Sequence, residues 1–226
     1  MARDIEIVVE ADAEAAAVDV AERLAAAART GGHVVLTGGS TPHRAYELAA
    51  ELAPDWSKVE VWWSDERCVP ADDASSNYCM AKAALLDRVS LGKVHRMHGE
   101  LGKDQGAELY EQELGPLERF DLVLLGLGPD GHVASLYPEQ PTLDETERRV
   151  IGAEAKLQPF VDRITLTLPV LCGAHEVLFL VTGQDKADAA KRAFVDEPSR
   201  TTPGSLARAT RGTTTAVLDV AAAAML

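Results

Sequence analysis

Cysteine is almost absent from this sequence, and the three present, Cys68, Cys79 and Cys172, form no CxxC or CxxH pair. That leaves neither a zinc-ligand spacing nor a disulfide framework, and the thiols read as buried or idle. Basic residues are also short: 22 Lys and Arg stand against 36 Asp and Glu, for a net charge of -14. A field of that sign repels nucleic acid and anionic membranes, so any anionic ligand needs a locally positive site. No apolar run approaches the roughly 18 residues of a membrane span, and the opening MARDIEIVVEADAEAAA lacks the apolar core of a signal peptide. The expected setting is cytoplasmic. Aromatics are few, at 5%, yet hydrophobic residues reach 46% and charged residues 26%, the balance of a globular chain. Residues 1–226 are of a length to bury one core, without internal repeat or linker, and a single α/β domain is expected.

Strands and helices alternate along the chain. Ile5–Val9 is β-rich, and Asp12–Arg29 is an alanine-rich run of helix formers that stops at Gly31-Gly32. His33–Leu36 is a strand and Pro42–Leu52 a helix, with Thr41 positioned as its cap and Pro42 at its first position. Further strands are expected at Val59–Trp63, Leu122–Leu125, Ile164–Leu168, Val177–Val181 and Thr215–Leu218, and helices at about Tyr78–Arg88, Gln105–Leu114 and Asp185–Val195. Strands joined by helices of these lengths pair in parallel through right-handed crossovers, giving a three-layer α/β/α architecture around a mostly parallel, Rossmann-like sheet. Ligands bind such sheets beyond the carboxyl ends of the strands. That rule selects four turns: LTGGSTP, WSDER, GLGPDGH and TGQDK.

In the first turn Gly38, Gly39, Ser40 and Thr41 offer backbone N–H groups, hydroxyls and a helix N-terminus, a combination suited to phosphate, although an ordinary tight turn has the same letters. It lacks the G-K-[ST] ending of a P-loop. Gly126, Gly128 and Gly131 match G-x-G-x-x-G, but Pro138 and Pro141 leave too little room for the long helix that a dinucleotide site opens. Those glycines more simply let a sharp loop present Asp130 and His132, and a histidine beyond a buried strand is a candidate acid/base. Asp65, Glu66 and Arg67 are either a solvated loop or part of the same cleft. A metal held by Asp65, Glu66 and His132 is a minor option that no spacing demands.

Taken together, TGGSTP, SDERCVP, GLGPDGHVASLYP, RITLTLPVL and TGQDKADAAKRA resemble, in order and spacing, the 6-phosphogluconolactonases, relatives of the glucosamine-6-phosphate deaminases. The resemblance runs from about His33 onward. It implies hydrolysis of 6-phospho-D-glucono-1,5-lactone to 6-phospho-D-gluconate, the second step of the oxidative pentose phosphate pathway, with no cofactor and no metal. It also implies His132 as general base, with Asp130 shaping the loop or setting the imidazole tautomer, and Asp65 positioning water or a hydroxyl. Arg163 and Lys186 match anion-binding positions, Arg67 adds a cation near the sugar or oxyanion, and Gly38, Gly39 and Ser40 supply donors. The deaminases carry a tyrosine after their Asp-Glu pair and a carboxylate after the histidine; Arg67 and Leu136-Tyr137-Pro138 stand in those places. The remaining alternatives are a deaminase-like isomerase and a sugar-phosphate-binding regulator without catalysis. A small sugar-phosphate lactone is the expected partner, with no nucleic acid or membrane, and the chain is expected to act as a monomer or weak oligomer.

Overall fold

The computed structural model describes residues 5–156 and 158–226. The strands, in chain order, are β1 (Glu6–Glu10), β2 (Gly32–Leu36), β3 (Asp55–Trp63), β4 (Asp65–Arg67), β5 (Ser90–Val94), β6 (Leu122–Leu125), β7 (Val150–Ala153), β8 (Arg163–Leu166), β9 (Glu176–Val181) and β10 (Thr213–Asp219). The α-helices are α1 (Ala13–Thr30), α2 (Thr41–Leu52), α3 (Asn77–Ala84), α4 (Lys103–Leu114), α5 (Leu168–Cys172) and α6 (Ala187–Phe194).

Seven strands form a wholly parallel sheet in the order β1-β10-β9-β6-β2-β3-β5. Alternate residues along each strand face opposite sides, and both sides are apolar. Val34 and Leu36 of β2 pack with the alanine faces of α1, α2 and α3, whereas Val35 packs with Ala107 and Tyr110 of α4, Ala189 and Ala193 of α6, and Ile164 of β8. The three layers follow from this alternation. The small side chains Ala17, Ala21, Ala25 and Ala28 are buried along α1, a face narrow enough for close approach to the sheet.

The expected Ile164–Leu168 strand exists as β8, but it belongs elsewhere. With β4 and β7 it forms a small antiparallel sheet, order β4-β8-β7, set beside the main one. Two other expectations shift. The helix placed at Tyr78–Arg88 stops at Ala84 and gives way to a 3-10 turn at Leu86–Arg88. Helix α2 starts at Thr41, with Ser40 in the cap position, and no side chain hydrogen-bonds its first turn; Thr41 is therefore helical rather than a cap.

In the main sheet, β2-β3-β5 and β6-β9-β10 run outward in opposite directions from the neighbours β2 and β6. The chains leaving β2 and β6 therefore diverge, and a crevice opens between them at the carboxyl ends. Two buried tyrosines finish the neighbouring strands. The Tyr46 hydroxyl accepts from Thr37 N at 2.9 Å and donates to Thr37 O at 2.8 Å, while Tyr110 accepts from Trp63 N at 2.9 Å. These hydroxyls satisfy backbone groups where the ladder ends, at the rim of the crevice.

Candidate active site

A cavity of about 450 Å³ fills the crevice. All four turns selected from the sequence contribute to its wall: Gly38, Gly39 and Ser40 after β2, Asp65 and Arg67 after β3, Gly126, Gly128 and His132 after β6, and Asp185 and Lys186 after β9.

The loop after β6 is built around one aspartate–histidine hydrogen bond. Asp130 Oδ1 lies 2.6 Å from His132 Nδ1 and accepts the His132 backbone N–H at 3.1 Å. Burial pushes the Asp130 carboxyl up, but the hydrogen bond and charge of His132 outweigh it and hold the group below the usual carboxylate range. An ionised carboxylate only accepts, so Nδ1 carries its proton toward Asp130 and Nε2 is the basic nitrogen of the neutral ring. The glycines now have separate reasons. A side chain on Gly128 would collide with the His132 ring, and its Cβ would also stand 2.6 Å from Asp130 Oδ1. Gly131 sits at φ +90°, in the left-handed region, and a Cβ there would meet Thr202 at 2.8 Å. Arg192 of α6 braces the loop from behind, donating to Pro129 O at 3.2 Å and to Thr202 Oγ1 at 2.8 Å.

Asp65 is 7% exposed and accepts on both carboxylate oxygens. Its Oδ2 receives the Ser135 hydroxyl at 2.7 Å, and its Oδ1 lies 3.2 Å from Asn77 Nδ2 and 3.3 Å from Ser64 Oγ. Asn77 Nδ2 also donates to Asp65 O at 2.8 Å, which fixes the orientation of the carboxamide. Neither Asn77 nor Ser135 was a candidate in the sequence; both lie outside the four turns, Ser135 earning notice through its contact with Asp65 and Asn77 both through Asp65 and as part of the cavity wall.

The cations are unevenly placed. Lys186 reaches the cavity with its Nζ 3.6 Å from Asp185 Oδ2, and Arg67 lines it while its Nη1 donates to Ser75 O. Arg163 is not among the residues that line the cavity, but it stands directly across the β4–β8 ladder from Arg67, which does. The residue is 3% exposed, with Nη2 donating to Pro159 O at 3.0 Å and Nη1 buried without a hydrogen-bond partner among the described residues.

Glu66 proves to be neither solvated nor grouped with histidine. It is 3% exposed, and its carboxylate accepts from Arg67 N, Asn77 N, Tyr78 N and Ser76 Oγ at 2.7 to 2.9 Å. Burial pushes its carboxyl above the usual range in spite of those donors. Among the described residues no group of three or more His, Cys, Asp or Glu side chains is arranged to hold a metal, and Cys68, Cys79 and Cys172 form no disulfide. No helix of the described residues is long and apolar enough to cross a membrane. His95 is structural: its ring nitrogens lie 2.7 Å from Glu113 and 2.9 Å from Glu60, and it stacks on Trp62 at 3.7 Å.

The same fold recurs in known proteins. The 6-phosphogluconolactonase of Streptomyces coelicolor is 40% identical, over 99% of this chain and 92% of its own length. That of Mycobacterium leprae is 39% identical over 89% of this chain and 88% of its own. The solved structure of 6-phosphogluconolactonase from Trypanosoma cruzi superposes with a TM-score of 0.89 at 29% identity, covering 100% of this chain and 98% of that one. The family model described as glucosamine-6-phosphate isomerases/6-phosphogluconolactonase matches residues 9–216, a span that takes in all four loops of the cavity. With fold, crevice and sequence in agreement over nearly its whole length, this chain belongs to the glucosamine-6-phosphate isomerase/6-phosphogluconolactonase family.

Proposed function

We propose that this protein, acting through residues 1–226 as one catalytic domain, hydrolyses 6-phospho-D-glucono-1,5-lactone to 6-phospho-D-gluconate, the lactonase step of the pentose phosphate pathway. The observation that carries the reading is the His132–Asp130 pair, 2.6 Å apart, facing a cavity that also holds Lys186 and Arg67. Relatives bearing the lactonase name across nearly the full chain support it.

A δ-lactone is an activated ester, so the barrier lies in deprotonating water as it attacks and in protonating the ring oxygen as it leaves. Neutral His132 takes the water proton on Nε2 as the new C–O bond forms, and Asp130 stabilises the resulting imidazolium. The tetrahedral adduct collapses, the bond from the carbonyl carbon to the ring oxygen breaks, and His132 returns the proton to that oxygen. Asp65, held by the donors on both its carboxylate oxygens, orients a substrate hydroxyl or the water as an acceptor. The phosphate lies where the uncapped first turn of α2, the Gly38-Gly39-Ser40 amides and Lys186 converge. Arg67 adds positive charge between that end and the lactone. No step calls for a metal or redox group.

The test is NMR-monitored hydrolysis of freshly generated lactone, corrected for the spontaneous reaction at the same pH. Purified parent protein should accelerate hydrolysis, and His132→Ala should lower kcat by about 10²- to 10⁴-fold while binding 6-phosphogluconate as the parent does. Product binding without acceleration by the parent would leave a sugar-phosphate-binding regulator instead, and release of ammonia from glucosamine 6-phosphate would make it a deaminase.

A further inference from the structure

Glu66, buried between the cavity-lining Asp65 and Arg67, has no part in the chemistry above. Four donors converge on its two oxygens, two on each: Arg67 N at 2.7 Å and Asn77 N at 2.7 Å on Oε1, Tyr78 N at 2.8 Å and the Ser76 hydroxyl at 2.9 Å on Oε2. Asn77 and Tyr78 are the first residues of α3, and Ser76 is its N-cap, accepting from Cys79 N at 3.1 Å. A helix start leaves its first N–H groups without intrahelical partners. Here Ser76 satisfies one, while Glu66, reaching across from β4, satisfies the two before it and holds the Ser76 hydroxyl as well. The carboxylate thus ties β4 to the start of α3. On either side of that tie stand two residues that line the cavity, Arg67 and Asn77, and Asn77 in turn pins Asp65.

We infer that Glu66 is a positioning residue: it touches no substrate, and it sets the places of Arg67 and Asn77 against the bound sugar phosphate. The inference rests on the lactonase reading above. Only a carboxylate fits the post, because all four neighbours donate. A glutamine would turn one oxygen into an N–H group facing donors, and an aspartate is one methylene too short to span the gap. The effect should fall on binding more than on proton transfer, since His132 and Asp130 stand on a different loop that Glu66 does not contact.

Glu66→Gln should raise both KM for the lactone and the calorimetric Kd for 6-phosphogluconate about tenfold, with kcat reduced less than threefold. A purely structural role would instead lower the melting temperature and the number of binding sites per protein while leaving Kd unchanged in the folded fraction. The same substitution made in an Arg67→Ala background should change Kd less than threefold, because one of the residues it positions is gone. If Glu66→Gln does not fold, Ser76→Ala, which removes a single donor from Oε2, carries the test with an expected threefold rise in Kd. A folded variant with parental KM and Kd would overturn the inference alone, whereas a parent protein without lactone hydrolysis would overturn the reading beneath it.

Discussion

Replacing Asp130 with asparagine isolates one physical quantity, because the same atom, Oδ1, accepts from both the His132 ring at 2.6 Å and the His132 backbone at 3.1 Å. An asparagine that keeps its oxygen there retains both contacts and the loop, and loses only the negative charge. A hydrogen bond to a charged group contributes about 1.5–3 kcal/mol and one between neutral groups about 0.5–1.5 kcal/mol, so the imidazolium formed during attack should lose roughly 1–1.5 kcal/mol of stabilisation. At 1.36 kcal/mol per tenfold, kcat should fall about 5- to 15-fold, far less than on removing the ring. The assay is lactone hydrolysis followed by NMR, with 6-phosphogluconate binding unchanged within about twofold as the control for an intact cavity. A loss of about 10³-fold would mean that the carboxamide has turned its N–H to Nδ1 and forced the wrong tautomer, and the argument from the shared oxygen would fail. No loss would remove the charge of Asp130 from the mechanism.

Further outcomes follow from other contacts. Lys186→Ala should lower kcat/KM for the phosphorylated lactone about 10- to 100-fold, mostly through KM, and leave the slow hydrolysis of unphosphorylated gluconolactone nearly unaltered; equal losses on both substrates would move the phosphate elsewhere. Tyr46→Phe strands the Thr37 N–H and C=O in a fully buried position and should cost about 2–4 kcal/mol in urea unfolding, against a near-neutral result if the strand end relaxes to water. The Arg96 hydrogen bond holds the Glu100 carboxyl at about 2. Its contribution to stability is complete above the ordinary glutamate range and disappears as pH falls toward that value. Glu100→Gln should therefore show a smaller drop in urea midpoint between pH 7 and pH 3 than the parent, and equal drops would count against the pair.

What the sequence made legible was whatever is buried on both faces or punctuated by glycine. Leu122–Leu125 and Val177–Val181 are continuous apolar runs because helices cover the central strands from both sides, and the turns behind them announce themselves. Strand β5 went unread: SLGKV lies at a sheet edge, largely exposed, with no apolar run to betray it. Strand β8 was placed in the wrong sheet because it has the letters of a parallel strand while its partners, β4 and β7, are three or four residues long and leave almost no periodicity. For Glu66 the sequence left a solvated loop and the cleft both open, for a different reason. What satisfies a buried carboxylate here is a helix start ten to twelve residues further on, and local pattern carries no trace of a contact over that distance.

Helix α3 also bears on the turn after β2. A methyl group on Gly38 would fall directly onto the Asn77 carboxamide, which is tethered to Asp65 by its Nδ2. The two loops are interlocked like key and ward, so drift at one position is admissible only together with change at the other. Gly38→Ala alone should eject the amide and release Asp65, whereas Gly38→Ala combined with Asn77→Gly opens the space that the methyl needs. Exchange of either loop from a relative into this chain should succeed as a pair and fail singly, which makes positions 38 and 77 one heritable unit despite the 38 residues between them.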